Sequence, residues 1–150
     1  MKAVIQRVKN ADVAVNGETV GKCGNGLMVL FGAETNDTPE DAVLLAKKTA
    51  ALRIFCDENG KMNRSICDIN GEMLVISQFT LCADVKKGNR PSFTGAMEPT
   101  KANELYLLYC EELRKNGIKS VETGIFGADM QVELVNDGPV TILLDSKKTF

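Results

Sequence analysis

Short apolar runs separated by turn residues dominate the first part of the chain. Residues 3–8 and 11–15 have strand-like composition, and Asn16-Gly17 behind them is a strong hairpin signal because a type I′ turn needs two residues that accept positive φ. The glycine-bounded apolar run 26–32 is too short for a helix of ordinary length and indicates a central strand buried on both faces. The chain is therefore predicted to open with strands.

Two later segments have helical periodicity. Thr38 can cap the first helix, with Pro39 at its first position and Asp41 at the capping-box position, and an apolar stripe follows that reaches residue 54. The second helix is predicted over residues 101–115, with Gly117 as the stop signal.

The remaining segments are read as strands, turns and one long loop. Residues 71–81 form a long apolar run that predicts a core strand, whereas residues 84–100 lose all apolar periodicity and predict an exposed loop. Residues 128–135 and 140–145 are β-rich and are separated by the turn cluster 136–139. Because helices and strands do not alternate strictly, we expect an α+β domain with largely antiparallel sheets and two main helices on one side.

The composition removes several classes of chemistry. The chain has 150 residues and no His, so it can hold neither a Ser-His-Asp or Cys-His relay nor a His metal ligand. Its net charge of −2 argues against a protein that coats nucleic acid through bulk positive charge. The five cysteines form no C-x-x-C pair, which indicates free thiols in a reducing compartment. We expect a single domain (residues 1–150) that is soluble and cytoplasmic, uses no metal or other cofactor, and binds neither a membrane nor DNA.

Polar residues at the end of the 71–81 run are the first candidates for a site. Burial of Ser77, Gln78 and Thr80 without hydrogen-bond partners would cost about 1–3 kcal/mol per group. These side chains must therefore bond to other protein groups, to a ligand or to solvent. From spacing alone, a strand whose last residues emerge into solvent is the better explanation. Thr80 as a nucleophile is weaker still, because no base lies near it in the sequence.

Two further features have both a plain and a functional interpretation. The Gly138-Pro139 bond can be cis in a tight turn, although about 94–95% of X-Pro bonds in folded proteins are trans. A loop with Lys86, Lys87 and Arg90, followed by Phe93, suits a phosphate backbone with a stacked base. Taken alone, the Gly138-Pro139 pair indicates an ordinary turn, and the loop with Lys86, Lys87 and Arg90 indicates a solvated surface loop.

Seven segments together resemble the D-aminoacyl-tRNA deacylases (D-tyrosyl-tRNA deacylases), in order and over essentially the whole chain. They are MKAVIQRV, GLMVLFG, RIFCDENGKMN, SQFTL, RPSF, ADMQV and NDGPVTILLD. The SQFT and NDGPVT blocks are highly specific in combination. The resemblance implies a homodimer that hydrolyses the ester between a D-amino acid, or glycine, and the 3′-terminal adenosine of tRNA. It thereby implies that mischarged tRNA is cleared.

The resemblance also implies a catalytic block. Ser77, Gln78, Phe79 and Thr80 would form it, and the backbone N–H groups of Phe79 and Thr80 would hold the substrate. An aminoacyl ester is already activated, so such donors can stabilise the transition state without an imidazole. Whether the Thr80 hydroxyl, these N–H groups or the 2′-hydroxyl of the substrate carries the chemistry stays open.

The second block implies how chirality is selected. Gly138 and Pro139, joined by a cis bond, would reach into the active site of the other subunit and exclude an L side chain. Arg7 would orient the Gly-Pro turn through the carbonyl groups of that turn, and the basic loop would bind tRNA. A non-catalytic RNA-binding or adaptor domain on the same scaffold is the alternative, because fold alone does not separate the two.

Overall fold

One long strand organises the sheet. The computed structural model describes residues 1–148, in which β1 (Lys2–Val15) is followed by β2 (Glu18–Cys23) and β3 (Gly26–Gly32). β1 pairs antiparallel with β3 along its first half and with β2 along its second half. The predicted strands 3–8 and 11–15 are therefore one strand. The predicted hairpin turn is confirmed, since Asn16 and Gly17 have φ of 52° and 79°.

The last strand, β8 (Gln131–Asp145), pairs antiparallel with β1 along nearly its whole length. Pairing with β8 on both sides of Lys9 keeps β1 continuous where its sequence becomes polar. Between β3 and β8 the chain forms α1 (Pro39–Ala51), the short hairpin of β4 (Phe55–Cys56) and β5 (Met62–Arg64), β6 (Glu72–Ser77), α2 (Pro99–Lys115) and β7 (Val121–Thr123). β3 with β6, and β6 with β7, pair in parallel. The predicted α+β, mostly antiparallel class is confirmed, with these two parallel pairs added by the helical crossovers.

Both helices pack against one face of the sheet, as predicted. Phe31 of β3 contacts Tyr109 of α2 with ring centroids 4.9 Å apart, and the Tyr109 hydroxyl lies 2.9 Å from Thr49 Oγ1 of α1. The Asp41 carboxylate accepts a 2.8 Å hydrogen bond from the Thr38 N–H, so α1 begins where the capping box predicts. α1 ends at Ala51, earlier than the apolar stripe suggested. No described helix combines the length and apolar character needed to cross a membrane.

The other face of the sheet curls back on itself and encloses a second apolar cluster. Val8, Val13, Met28, Leu74 and Ile76 are its largest buried members, and Met130, Val132 and Leu134 pack against them. Closure requires a small residue in β2, because a Cβ on Gly21 would lie 2.3 Å from the Thr123 carbonyl oxygen of β7. The sheet is therefore barrel-like, with the two helices outside it.

The predicted strand 71–81 is too long. β6 ends at Ser77, and the next N–H, that of Gln78, donates a 2.7 Å hydrogen bond to the Phe31 carbonyl. Residues Phe79–Cys82 then form a 3₁₀ turn. Phe79 and Leu81 lie within this turn, and these two apolar residues are why the run reads as uninterrupted strand. The turn makes the chain change direction directly after the polar residues.

Candidate active site

A cavity of about 260 Å³ lies at the end of β6. Ser77, Gln78 and Phe79 contribute to its wall, together with Phe31 and Gly32 of β3, Ala102 of α2, and Phe126, Asp129, Met130 and Val132 from β8 and the connection before it. Three of the four residues predicted as a catalytic block therefore line one cavity. Most of the wall is apolar, so it offers a ligand mainly apolar contacts.

Backbone donors stand where the cavity meets the 3₁₀ turn. Phe79 and Thr80 are the first two residues of that turn, so their N–H groups have no acceptor inside it. The Gln78 side-chain amide donates to Thr80 Oγ1. Among the residues that the structure describes, no carboxylate or lysine bonds to this hydroxyl. The arrangement offers polarised N–H groups and leaves the Thr80 hydroxyl without a base.

A buried thiol beside the cavity is not an alternative nucleophile. Cys82 Sγ contacts the Ala33 carbonyl oxygen at 3.3 Å. Burial, followed by the nearby carboxylate of Glu34, raises the pKa of this thiol to about 11, so it stays protonated at neutral pH. Within residues 1–148, no three Cys, Asp or Glu side chains come together as ligands for a metal ion. The polar groups at this site therefore include the N–H groups of the 3₁₀ turn and the exposed carboxylate of Asp129, which lines the cavity.

The Gly-Pro segment (residues 137–140) is extruded from the ladder between β1 and β8. Gln6 of β1 pairs with Thr141, and Val8 pairs with Asn136. Only Arg7 lies between these positions on β1, whereas four residues lie between them on β8. The Gly138-Pro139 peptide bond is cis. The segment was predicted as a turn between two strands; it is instead a wide bulge within one strand, because β8 resumes its pairing with β1 beyond it.

Arg7 fixes the base of this bulge. Its Nε donates to the Asp137 carbonyl oxygen at 2.9 Å, and its Nη1 donates to the Ile54 carbonyl oxygen at 2.6 Å. Nε also lies 3.4 Å from the Asp137 carboxylate. The Arg7 side chain is only 11% exposed, so its guanidinium is both buried and oriented. The resemblance placed Arg7 near this segment, and the structure shows that the contact runs through Asp137.

Sequence reasoning missed several residues of the site. Gln6 Nε2 donates to Asn136 Oδ1 at 3.0 Å, and the Asn136 amide stands next to the α-carbon of Gly138, 2.4 Å from where a Cβ would lie. Phe126 and Met130 line the cavity from a loop remote in sequence. An isolated aromatic or methionine residue usually indicates core, so neither residue stood out by itself. Met130 was indicated only as part of the ADMQV block that supports the resemblance.

The basic loop (residues 84–92) is a separate exposed feature. Asp84 and Ser92 exchange two backbone hydrogen bonds of 2.8 and 2.9 Å, and the Asp84 carboxylate accepts from the Lys86 N–H at 2.8 Å. Every residue between them is exposed, including Lys86, Lys87 and Arg90. Phe93 follows directly and touches Phe79, with ring centroids 5.1 Å apart. The loop predicted to bind nucleic acid is thus connected to the cavity by an aromatic contact.

Comparison with known proteins gives a consistent set of similarities. The family model described as D-Tyr-tRNA(Tyr) deacylase matches residues 4–145. Proteins named D-aminoacyl-tRNA deacylase from Syntrophotalea carbinolica and Thermosipho africanus are 60% and 59% identical over 150 residues, which is 100% of each chain.

Solved structures also match closely. One titled "c-Myc DNA Unwinding Element Binding Protein" has a TM-score of 0.91 and 44% identity, covering 97% of this chain and 98% of its own. A second, titled as a probable eukaryotic D-amino acid tRNA deacylase, has a TM-score of 0.80 at 17% identity, covering 95% and 97%. The second likeness shows the fold alone.

Proposed function

Since the chain belongs to the D-Tyr-tRNA(Tyr) deacylase family and is a hydrolase of D-aminoacyl-tRNA, we propose that the cavity at the end of β6 is where the ester is cleaved. The observation that carries this proposal is that Phe79 lines an apolar cavity and begins a 3₁₀ turn, whose first two N–H groups, those of Phe79 and Thr80, have no acceptor inside the turn. The activity serves proofreading in translation. Because aminoacyl-tRNA is used in the cytoplasm, we place the reaction there.

The proposed reaction needs no side-chain nucleophile. Water attacks the ester carbonyl carbon, the bond between that carbon and the ribose 3′-oxygen breaks, and the 3′-oxygen leaves with a proton. The products are a free D-amino acid and tRNA. The N–H groups of Phe79 and Thr80 would bind the oxyanion, where removal of a single donor typically costs about 2.7–4 kcal/mol of transition-state stabilisation. Ser77 and Gln78 would bound the space in which the amino acid lies.

We assign chirality selection to Gly138 and Pro139 of a second subunit. Both residues are exposed on the bulge, so they are free to enter a neighbouring cavity. Their carbonyl groups would occupy the space that an L side chain needs while leaving room for a D side chain. Glycine has no side chain to exclude, so glycyl-tRNA would also be accepted. The active assembly under this proposal is a homodimer.

The basic loop would bind the tRNA near its 3′ end. Lys86, Lys87 and Arg90 supply exposed cations, which suit phosphate oxygens. Phe93 supplies an aromatic face beside Phe79. The loop therefore provides affinity, whereas the cavity provides the chemistry.

Deacylation of matched substrates tests the proposal. One tRNA is charged with a D-amino acid and, in parallel, with its L enantiomer, and release of the amino acid is followed under single-turnover conditions. We expect hydrolysis of the D form at least 100-fold faster than hydrolysis of the L form. Binding of tRNA without cleavage of either ester would instead support an RNA-binding or adaptor domain. Sedimentation equilibrium gives the subunit number, and a monomer that retains full selectivity would contradict the cross-subunit role of Gly138 and Pro139.

A further inference from the structure

Phe79 and Phe93 form an aromatic pair that faces solvent. Their ring planes are inclined by 65° with centroids 5.1 Å apart. Phe79 is 56% exposed and Phe93 is 38% exposed, although aromatic side chains normally bury most of their surface. Neither ring belongs to the two apolar clusters of the core. The pair therefore presents apolar surface that the folded chain leaves uncovered.

The position of the pair indicates which kind of molecule covers it. Phe79 lines the cavity, whereas Phe93 lies just beyond it, one residue after the basic loop ends. An exposed aromatic surface thus runs from the cavity to the segment that carries Lys86, Lys87 and Arg90. Aromatic rings beside a group of cations match the chemistry of a single nucleic-acid strand, whose bases stack while its phosphates pair with the cations.

We propose that the Phe79–Phe93 pair is a stacking platform for the base of the nucleotide that precedes the terminal adenosine of tRNA. This inference rests on the proposed function. If the terminal ribose carries its ester to the N–H groups of Phe79 and Thr80, the terminal adenosine occupies the cavity. The preceding nucleotide is then the first one outside it, next to Phe93.

The platform would connect tRNA recognition to the reacting carbonyl through one residue. The Phe79 side chain forms half of the platform, and its own N–H is one of the two proposed donors to the ester. Stacking of the preceding base would restrain the strand on both sides of the terminal ribose, which holds the carbonyl at those donors. Because every base has a π-face, the platform would tolerate any base at this position.

The test compares two variants on three substrates. Phe93→Leu keeps an apolar side chain but removes the ring, and Phe93→Tyr keeps the ring. The substrates are D-aminoacyl-tRNA, the same tRNA lacking the base at the penultimate nucleotide, and the D-aminoacyl ester of adenosine alone. For intact tRNA we expect Phe93→Leu to lower kcat/KM by about 5- to 150-fold, the range for removal of one stacked base, and Phe93→Tyr to restore most of it. The decrease should be several-fold smaller on both other substrates.

A matched control and a binding measurement separate the alternatives. Val43→Ala removes exposed apolar surface from α1, where Val43 is 41% exposed, and we expect it to leave all three rates unchanged. An equal decrease from Phe93→Leu on all three substrates would overturn the platform, as would dissociation of an assembly that the wild type forms, because the pair would then be covered by another subunit. If wild-type protein cleaves none of the esters, the proposed function fails. Equilibrium binding of uncharged tRNA, with and without the penultimate base, still tests the stacking.

Discussion

Two exposed segments of the molecule, the Gly-Pro segment and the basic loop, are held in very different ways. The Gly-Pro segment lies between two pairs of a β-ladder and is fixed from below by the buried guanidinium of Arg7. Val140, at its far end, is buried. The basic loop is closed by a single pair of residues, Asp84 and Ser92, and everything between them is exposed.

This difference in anchoring matches the difference between the roles that we propose for the two segments. Rejection of one enantiomer depends on the position of atoms to within a fraction of an ångström, so the group that rejects must be held by buried contacts. Attraction of phosphate depends on charge over a distance of several ångströms, and flexible exposed side chains are sufficient for it. We therefore expect mutations beneath the Gly-Pro segment to change selectivity, and mutations in the basic loop to change affinity and its salt dependence.

Removal of the buried anchor should have the largest effect. Arg7→Ala deletes the hydrogen bonds to the carbonyl oxygens of Asp137 and Ile54, each of a type worth about 1.5–3 kcal/mol. We expect a lower melting temperature and a decrease of at least 10-fold in the ratio of D- to L-ester hydrolysis. Both are measured on one preparation, by thermal unfolding and by single-turnover deacylation.

Lys9→Ala is the matched control for Arg7. Lys9 Nζ lies 3.6 Å from the Asp137 carboxylate, but the Lys9 side chain is 61% exposed, so this ion pair contributes little. The variant removes the same unit of charge near the same carboxylate. We expect unchanged selectivity. A decrease as large as that of Arg7→Ala would mean that charge, rather than buried hydrogen bonds, holds the Gly-Pro segment.

Neutralisation of the basic loop should have a smaller effect of another kind. Lys86→Ala combined with Lys87→Ala should weaken tRNA binding. A plot of the logarithm of the binding constant against the logarithm of the salt concentration should also become less steep. The slope should decrease in magnitude by about 0.7 for each single-strand phosphate that the variant no longer neutralises. The D-to-L ratio should not change. Binding measured at several salt concentrations checks this.

The control pair is Lys47 and Lys48, adjacent exposed residues on α1. Their replacement by Ala removes the same charge from another part of the surface. If both double variants flatten the salt dependence equally, the effect is one of net charge. An unchanged slope after replacement of Lys86 and Lys87 would place the tRNA path away from the basic loop.

The sequence predicts the regular parts of this fold well because their signals are local. The hairpin at Asn16-Gly17 depends on two residues that accept positive φ, and the start of α1 depends on Thr38 and Asp41; both are correct. Where tertiary contacts decide, local signals fail. β6 ends at Ser77 although Phe79 and Leu81 continue the apolar run, because the chain enters a 3₁₀ turn there.

The candidate site was predictable only in part for the same reason. The polar block around Gln78 stood out against an apolar run, and Gly138-Pro139 stood out as a turn. Nothing local shows that β8 resumes its pairing with β1 after the Gly-Pro segment, because that depends on a strand more than a hundred residues earlier in the chain. Phe126 and Met130 reach the cavity only through the fold.

The smallest expected effect concerns the Thr80 hydroxyl, and it tests whether the site works through backbone groups. Thr80→Ala keeps the backbone N–H and removes only an exposed hydroxyl whose partner is the Gln78 amide. That amide is a donor, so it cannot take a proton from the hydroxyl, and a hydroxyl at its ordinary pKa is a poor nucleophile. We expect hydrolysis of a D-aminoacyl-tRNA within about 10-fold of the wild-type rate, and Thr80→Ser to behave like wild type.

A second substrate makes this result decisive. The tRNA ends in 2′-deoxyadenosine and carries the D-amino acid on its 3′-oxygen, so the neighbouring hydroxyl is absent. If the substrate 2′-hydroxyl assists the attacking water, this ester is cleaved slowly by wild type and by Thr80→Ala alike. If Thr80 were the nucleophile, Thr80→Ala would be slower by several orders of magnitude on the ribose substrate, while wild type would cleave the deoxy substrate normally. That pair of results would replace the backbone mechanism with a covalent acyl-threonine intermediate.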